Sequence, residues 1–302
     1  MLRVRALVLA ALWAIGLLCS TATAAQKLYA ASVRGAAIGS DASVSGSLYL
    51  VDMTTGVATF AASVRLDGGA VGVTGLAVHP QTGVFYGATS PLSRNVPTSL
   101  VTLDPETGNA KLVGRLRHDV SDIAFSRTGI LYAWLPLTSQ LGVINTENGG
   151  VIPVGNANAA GPPAGLVFDA KGGARITSAG ATGTLDVVDI ATGVVTRGPP
   201  LTGAPFPSGI NSMTFTPTGK LLAVNSNAGS PAVTRLVSID ATTGVVANIG
   251  PLPDDTDGLA FANVPAAAQA EGFTQWQKTA LGGLFLTALL LALIGWFVGR
   301  KK

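Results

Sequence analysis

Asp254, Asp255 and Asp257 form the densest carboxylate cluster in the chain. Hard oxygen ligands so close together could hold Ca²⁺ once backbone carbonyls are added, and calcium is the one cofactor the sequence suggests. The spacing is not that of an EF-hand loop: Gly258 arrives early and no glutamate closes the set. A solvated acidic loop accounts for the same residues. His118 stands with Arg115, Arg117, Asp119 and Asp122, where a carboxylate could orient an imidazole as a general base. His79, the other histidine, lies in a short turn and reads as a surface imidazole. No P-loop, dinucleotide fingerprint, zinc ligand set or Ser-His-Asp constellation accompanies them. The single cysteine, Cys19, falls inside an N-terminal apolar run, which leaves the remaining chain without thiolate or disulfide chemistry.

The elements that would position these residues come from a repeat. Asp52-Met53-Thr54-Thr55-Gly56 returns as Asp104-Pro105-Glu106-Thr107-Gly108, Asn145-Thr146-Glu147-Asn148-Gly149, Asp189-Ile190-Ala191-Thr192-Gly193 and Asp240-Ala241-Thr242-Thr243-Gly244. Each copy follows a short alternating run such as Leu100-Val101-Thr102-Leu103 or Leu236-Val237-Ser238-Ile239. The Asp or Asn side chain can accept hydrogen bonds from backbone further along the turn, and the glycine accepts positive φ without steric cost. A second strand recurs as Gly75-Leu76-Ala77-Val78, Asp122-Ile123-Ala124-Phe125, Gly165-Leu166-Val167-Phe168, Ser212-Met213-Thr214-Phe215 and Gly258-Leu259-Ala260-Phe261, at spacings of 47, 43, 47 and 46 residues. Four-stranded units of that period predict an all-β fold, a five-bladed β-propeller. The run from Lys27 matches the second strand of a unit and the run from Gly258 matches the first. The last strand should therefore complete the first blade, a 1+3 closure that removes open edges.

In that ring the short turns gather at one pole. The long connections, 34–47, 90–99, 115–121, 156–164, 199–211 and 251–257, gather at the other. Loops held by a rigid scaffold are the usual seat of binding. Thr74, Ser121, Ala164, Asn211 and Asp257 begin the five inner strands and should ring the channel mouth, with Asp122 one step further in. That polar ring, with His118 nearby, is the candidate ligand site; water and backbone could satisfy the same groups.

Leu48 to Gly56, Leu76 to Tyr86, Ile123 to Tyr132, Met213 to Leu222 and Leu236 to Gly244 alternate an "LYxxDxxTG" strand-and-turn with a "GLAFxPxTGxLY" strand pair. In this the chain resembles bacterial extracytoplasmic propellers built from YVTN, NHL and pyrroloquinoline-quinone-like repeats. The resemblance covers most of residues 27–264 and implies an exported propeller without singling out one family. Quinoprotein enzymes carry tryptophan after the turn glycine; Phe60, Leu112, Val154, Arg197 and Ile249 occupy that region here, which argues against a quinone cofactor.

The two ends predict an address. Arg3 and Arg5 precede an apolar run, and Ala22-Thr23-Ala24 supplies small residues for cleavage, the pattern of a secretory signal over 1–24. Leu18 is too bulky to precede a lipidated Cys19. Residues 279–298 are uncharged and long enough to cross the hydrocarbon core, with Trp276 and Trp296 at the headgroup levels. Arg300, Lys301 and Lys302 then place the C-terminus in the cytoplasm. The organisation expected is a signal over 1–24, a propeller over 26–264, a linker over 265–278, a transmembrane helix over 279–299 and a basic tail over 300–302. Residues 26–278 hold 14 basic against 16 acidic side chains, so the exported part lacks the basic footprint of a nucleic-acid binder.

These readings favour a membrane-anchored module, in the periplasm or on the cell surface, that binds or scaffolds an envelope protein or glycan. The alternative is a lactonase- or lyase-like propeller enzyme acting on a small polar substrate at the mouth. A third reading takes the hydrophobic tail as a processed sorting signal. Glu271-Gly272-Phe273-Thr274-Gln275-Trp276 supplies no clear signature for such processing, and a stable anchor is favoured.

Overall fold

Short runs of Val, Leu, Ile and Thr between glycine-closed turns form strands throughout. The computed structural model describes residues 25–32, 46–93, 95–155, 163–178, 183–207, 209–227, 229 and 231–264. The expected signal segment, linker, transmembrane helix and basic tail lie outside these residues. Among the described residues no helix is long and apolar enough to cross a membrane. Residues Lys27–Ala262 form one compact unit; Met1–Gln26 with Asn263–Lys302 form a second, most of which lies outside the described residues.

The compact unit is a five-bladed β-propeller. Blade 1 contains β1 (Ala25–Ser32), β2 (Ser47–Val51) and β3 (Ala58–Ser63). A small hairpin of β4 (Arg65–Leu66) and β5 (Gly69–Ala70) follows. Blade 2 is β6 (Val73–Val78), β7 (Phe85–Thr89), β8 (Ser99–Leu103) and β9 (Ala110–Arg115). Blade 3 is β10 (Asp122–Phe125), β11 (Leu131–Leu135), β12 (Gln140–Ile144) and β13 (Val151–Val154). Blade 4 is β14 (Pro163–Phe168), β15 (Ala174–Ser178), β16 (Leu185–Val188) and β17 (Val195–Thr196). Blade 5 is β18 (Ile210–Phe215), β19 (Leu221–Ser226), β20 (Thr234–Ile239) and β21 (Val246–Leu252). The final strand, β22 (Thr256–Val264), pairs with β1 and becomes the innermost strand of blade 1. The ring closes by strand exchange.

The core is divided among the blade interfaces. Tyr29 and Leu48 of blade 1 meet Leu76, Phe85 and Val101 of blade 2 in one buried cluster. Equivalent clusters join blades 2 and 3, 3 and 4, 4 and 5, and 5 back to 1. The second strand of a blade is covered on both sides, so all five residues of β11, Leu131-Tyr132-Ala133-Trp134-Leu135, are buried. Aromatic side chains bridge the interfaces. Tyr29 meets Phe85 at 5.0 Å edge to face, Tyr86 meets Phe125 at 5.4 Å and Tyr132 meets Phe168 at 5.1 Å.

The repeated turn does two jobs. Oδ1 of Asp52 accepts hydrogen bonds from the amides of Thr54 and Thr55 at 2.8 and 2.9 Å, and Asp189 and Asp240 repeat the geometry. Asn145 serves in the third copy, accepting from Glu147 at 2.7 Å. The closing glycine also touches the preceding blade. A Cβ on Gly108 would collide with Ser63, on Gly149 with Gly114, on Gly193 with Val154, on Gly244 with Pro200 and on Gly56 with Gly250. These five contacts run once around the ring and close it from blade 5 to blade 1.

Candidate functional site: the channel mouth

The mouth residues owe their direction to β-bulges. Val73 pairs with Thr89 and Gly75 with Ala88, which leaves Thr74 as the extra residue. Ile210 pairs with Asn225 and Ser212 with Val224, leaving Asn211. Blade 4 shifts register between Pro163 and Leu166, across Ala164. A bulge re-aims a side chain that would otherwise alternate with its neighbours. In blade 3 the Ser121 amide donates to Trp134 O at 3.1 Å although Asp122 is the residue paired with Trp134. The Asn211 approach is firmly held: buried Asn225 donates to Phe206 O at 2.8 Å and Gly209 O at 2.7 Å, and accepts from the Phe206 amide at 2.8 Å.

Asp257 and Thr74 are brought together. Thr74 Oγ1 donates to Asp257 Oδ2 at 2.5 Å, across the joint between blades 2 and 1. Burial pushes the Asp257 carboxyl up to about 6; hydrogen bonds from Thr74 and Asn211 work against that rise and the Asp255 charge adds to it. Ser121 Oγ is buried with no hydrogen-bond partner among the described residues. Asp257, Thr74 and Asn211 thus interact with one another where the inner strands begin, with Ser121 O 3.5 Å from Thr74 Oγ1.

Asp122 lies deeper and is fully buried. Its Oδ1 accepts from the Ile123 amide at 2.9 Å and from Ser212 Oγ at 3.1 Å; its Oδ2 accepts from the Leu166 amide at 2.9 Å. Ser212 Oγ in turn accepts from the Leu259 amide at 3.1 Å. Burial holds Asp122 well above the usual carboxylate range, opposed by the Leu166 and Ile123 hydrogen bonds, with the Asp257 charge pushing the same way as burial. Blades 3, 4, 5 and 1 are thus laced together at the throat. Ser212 escaped the sequence reading, although a signal existed: the equivalent residues are Gly75, Asp122, Gly165, Ser212 and Gly258. Two polar side chains stand in a row that is otherwise glycine. A Cβ on Gly75 would meet Ile123 N at 2.9 Å, so that glycine makes room for β10 and its carboxylate.

The other sequence candidates go elsewhere. His118 is partly buried and makes no hydrogen bond to a described residue. Asp255 Oδ1 accepts from the Ala232 amide at 2.8 Å and ties down the β19–β20 connection, while Asp254 is exposed. Among the described residues no group of three His, Cys, Asp or Glu side chains is placed to hold a metal ion, so Asp254, Asp255 and Asp257 do not assemble the calcium site their spacing allows. His79 is not a free surface imidazole. Its Nδ1 accepts from the Gln81 and Thr82 amides at 3.3 and 3.2 Å, and its ring packs edge-on against Phe125 at 4.9 Å.

No protein-family model matches the sequence, and no curated protein matches it. Among solved structures, a protein of unknown function from Bacteroides caccae is similar at 12% sequence identity, with a TM-score of 0.47. The match covers 79% of this chain and 99% of that one.

Proposed function

We propose that the chain is a membrane-anchored extracytoplasmic propeller that binds or scaffolds an envelope protein or glycan through its channel-mouth pole. The observation that carries this reading is the mouth itself. Asp257, Thr74 and Asn211 converge on bulged or closing inner strands, beside the long connections and without a catalytic partner set among the described residues. The anchoring part draws support from the uncharged run 279–298, its flanking Trp276 and Trp296, and the basic Arg300-Lys301-Lys302 end. Crosslinked pull-down with the full-length chain, compared with an Asp257→Ala/Asn211→Ala variant, tests it. The same envelope component should be enriched by the parent chain and lost with the variant; capture that ignores the substitutions would overturn the mouth as the binding site.

An enzymatic reading rests on Asp257 alone, whose carboxyl at about 6 is poised for general-base work near neutral pH. It requires hydrolysis of a small lactone probe that rises as Asp257 ionises and vanishes in Asp257→Asn.

A further inference from the structure

We infer that the mouth takes a neutral saccharide, laid from Asp257 across the mouth end of blade 5 to Arg235. The inference rests on the mouth reading above and gives its partner a chemistry. It follows from a rule that blade 5 breaks. Five residues before the Asp or Asn of the outer turn, the third strands of blades 1 to 5 hold Ser47, Ser99, Gln140, Thr184 and Arg235. In blades 1, 2 and 4 this residue is buried, and its amide donates to a hydroxyl that ends the second strand. The acceptors are Ser32 Oγ at 2.9 Å, Thr89 Oγ1 at 2.8 Å and Ser178 Oγ at 2.8 Å. In blade 3 the Gln140 side chain donates to Gly155 O. Each of these groups serves its own blade.

Blade 5 sets Asn225 opposite Arg235 instead. Asn225 uses its side chain on the incoming 199–211 connection, through Phe206 and Gly209. The Arg235 guanidinium lies over the Phe206 ring at 5.9 Å and is only partly exposed. It makes no hydrogen bond or ion pair to a described residue. A guanidinium is a fork of N–H donors, and holding one half-buried without acceptors is unfavourable until a ligand supplies them. A local rule broken with no gain inside the fold is the mark of a functional position.

The row from Arg235 to the mouth is continuous. Asn225 pairs on its other side with Ile210, next to the bulged Asn211, and Asn211 hydrogen-bonds Asp257. Two strand spacings put the strands of Asn211 and Arg235 about 10 Å apart, and Asp257 extends the row beyond Asn211. Asp257, Asn211, Phe206 and Arg235 are all partly exposed. The order along the row is acceptor, mixed amide, donor. Hydroxyl groups donate to a carboxylate and accept from an amide or a guanidinium, so a short oligosaccharide meets the whole row with one kind of group. Opposite charges at the two ends disfavour a ligand of one sign: an anion suited to Arg235 meets Asp257, and a cation suited to Asp257 meets Arg235. The Asn225 clamp and the bulge fix these positions before a ligand arrives, which lowers the ordering cost of binding.

Saturation-transfer NMR on the full-length chain in phosphocholine-detergent micelles tests this. The probes are maltotetraose, cellotetraose and chitotetraose, with tetragalacturonate and tetralysine as charged competitors. At least one neutral tetrasaccharide should bind, and Arg235→Ser should weaken it about tenfold. That variant restores the serine of blades 1 and 2, so its melting temperature should stay near the parent's. If it does not fold, Arg235→Lys keeps the charge without the fork and should weaken binding in its place. Lys220→Ser, in an exposed inner turn at the opposite pole, should bind as the parent does. Silence of every neutral probe overturns the inference, as does tighter binding of either charged probe, or neutral binding that the Arg235 variants leave intact. The crosslinked pull-down separates this idea from the mouth reading. An envelope protein captured through Asp257 and Asn211, with no saccharide bound, defeats the saccharide alone; capture that ignores those residues defeats both.

Discussion

Asp257 and Asp122 are acids kept in surroundings that disfavour their charge, and this makes the mouth a source of pH dependence. The ordinary carboxyl value is 3.8 and Asp257 in the folded chain sits at about 6. Between those values the folded chain holds a proton that the unfolded chain has released, so stability falls as pH rises through that window and stays reduced above it. Asp257→Asn removes the penalty and keeps an oxygen for Thr74. Its melting temperature should exceed the parent's at pH 7.5, by the equivalent of about 1–3 kcal/mol after allowing for solvent at the mouth, and the difference should vanish below pH 4. An equal difference at both pH values would rule out the titration of Asp257 as its cause. Asp122 works differently, because its oxygens are the acceptors for Leu166, Ile123 and Ser212. Asp122→Ala strands those donors and should cost roughly 2–4 kcal/mol in urea unfolding at pH 5, where ionisation is least at issue.

The recurring turn shows what an element inherits from its neighbours. Gly108 and Gly219 both have positive φ, 73° and 85°. A Cβ on Gly219 meets open space, whereas one on Gly108 meets the Ser63 carbonyl of the preceding blade. Gly219→Ala should therefore cost only the backbone term, about 1 kcal/mol, and Gly108→Ala that term plus the shift of a blade interface, about 3 kcal/mol in total. Similar melting temperatures for the two variants would show that the outer turns do not carry the interface. The Asp-x-x-Thr-Gly turns, the five inner strands and the strand exchange were all legible in the sequence because each is a local pattern repeated in phase. The role of His79 was missed, although the same alignment carried the signal for it. It occupies the place of Ser126, Asp169 and Thr216, whose side chains accept amide hydrogen bonds within their turns. What could not be read were contacts that depend on register. The bulges at Thr74 and Asn211 exist only relative to the second strand of each blade, and the hydrogen bonds from Leu166 and Ser212 to Asp122 only relative to other blades. The hydrogen bond from the Ala232 amide to Asp255 is of the same kind, since the spacing of the carboxylates at 254, 255 and 257 gave no hint of it.

Closure governs the molecule as a whole. Each blade buries its apolar faces only against its neighbours, so a ring broken at one joint exposes two surfaces and an unpaired strand edge. β22 is the element that prevents this. Leu259, Ala260 and Ala262 are almost fully buried, and they belong to the clusters on both sides of blade 1. It also brings Asp257 to Thr74 and the Leu259 amide to Ser212, so the mouth and the throat are completed only when the ring is. A chain ending at Val264 retains every one of these contacts. A chain ending at Asp255 loses a strand ladder, a buried leucine and the mouth carboxylate together, a loss on the order of the 5–15 kcal/mol that separates folded from unfolded domains. The first truncation, made without residues 265–302, should elute as a monomer and unfold in one cooperative step. The second should aggregate or show no cooperative transition by circular dichroism and size-exclusion chromatography. A cooperative, monomeric fold from the shorter chain would mean that four blades and three strands suffice, and that the strand exchange is not what holds the propeller closed.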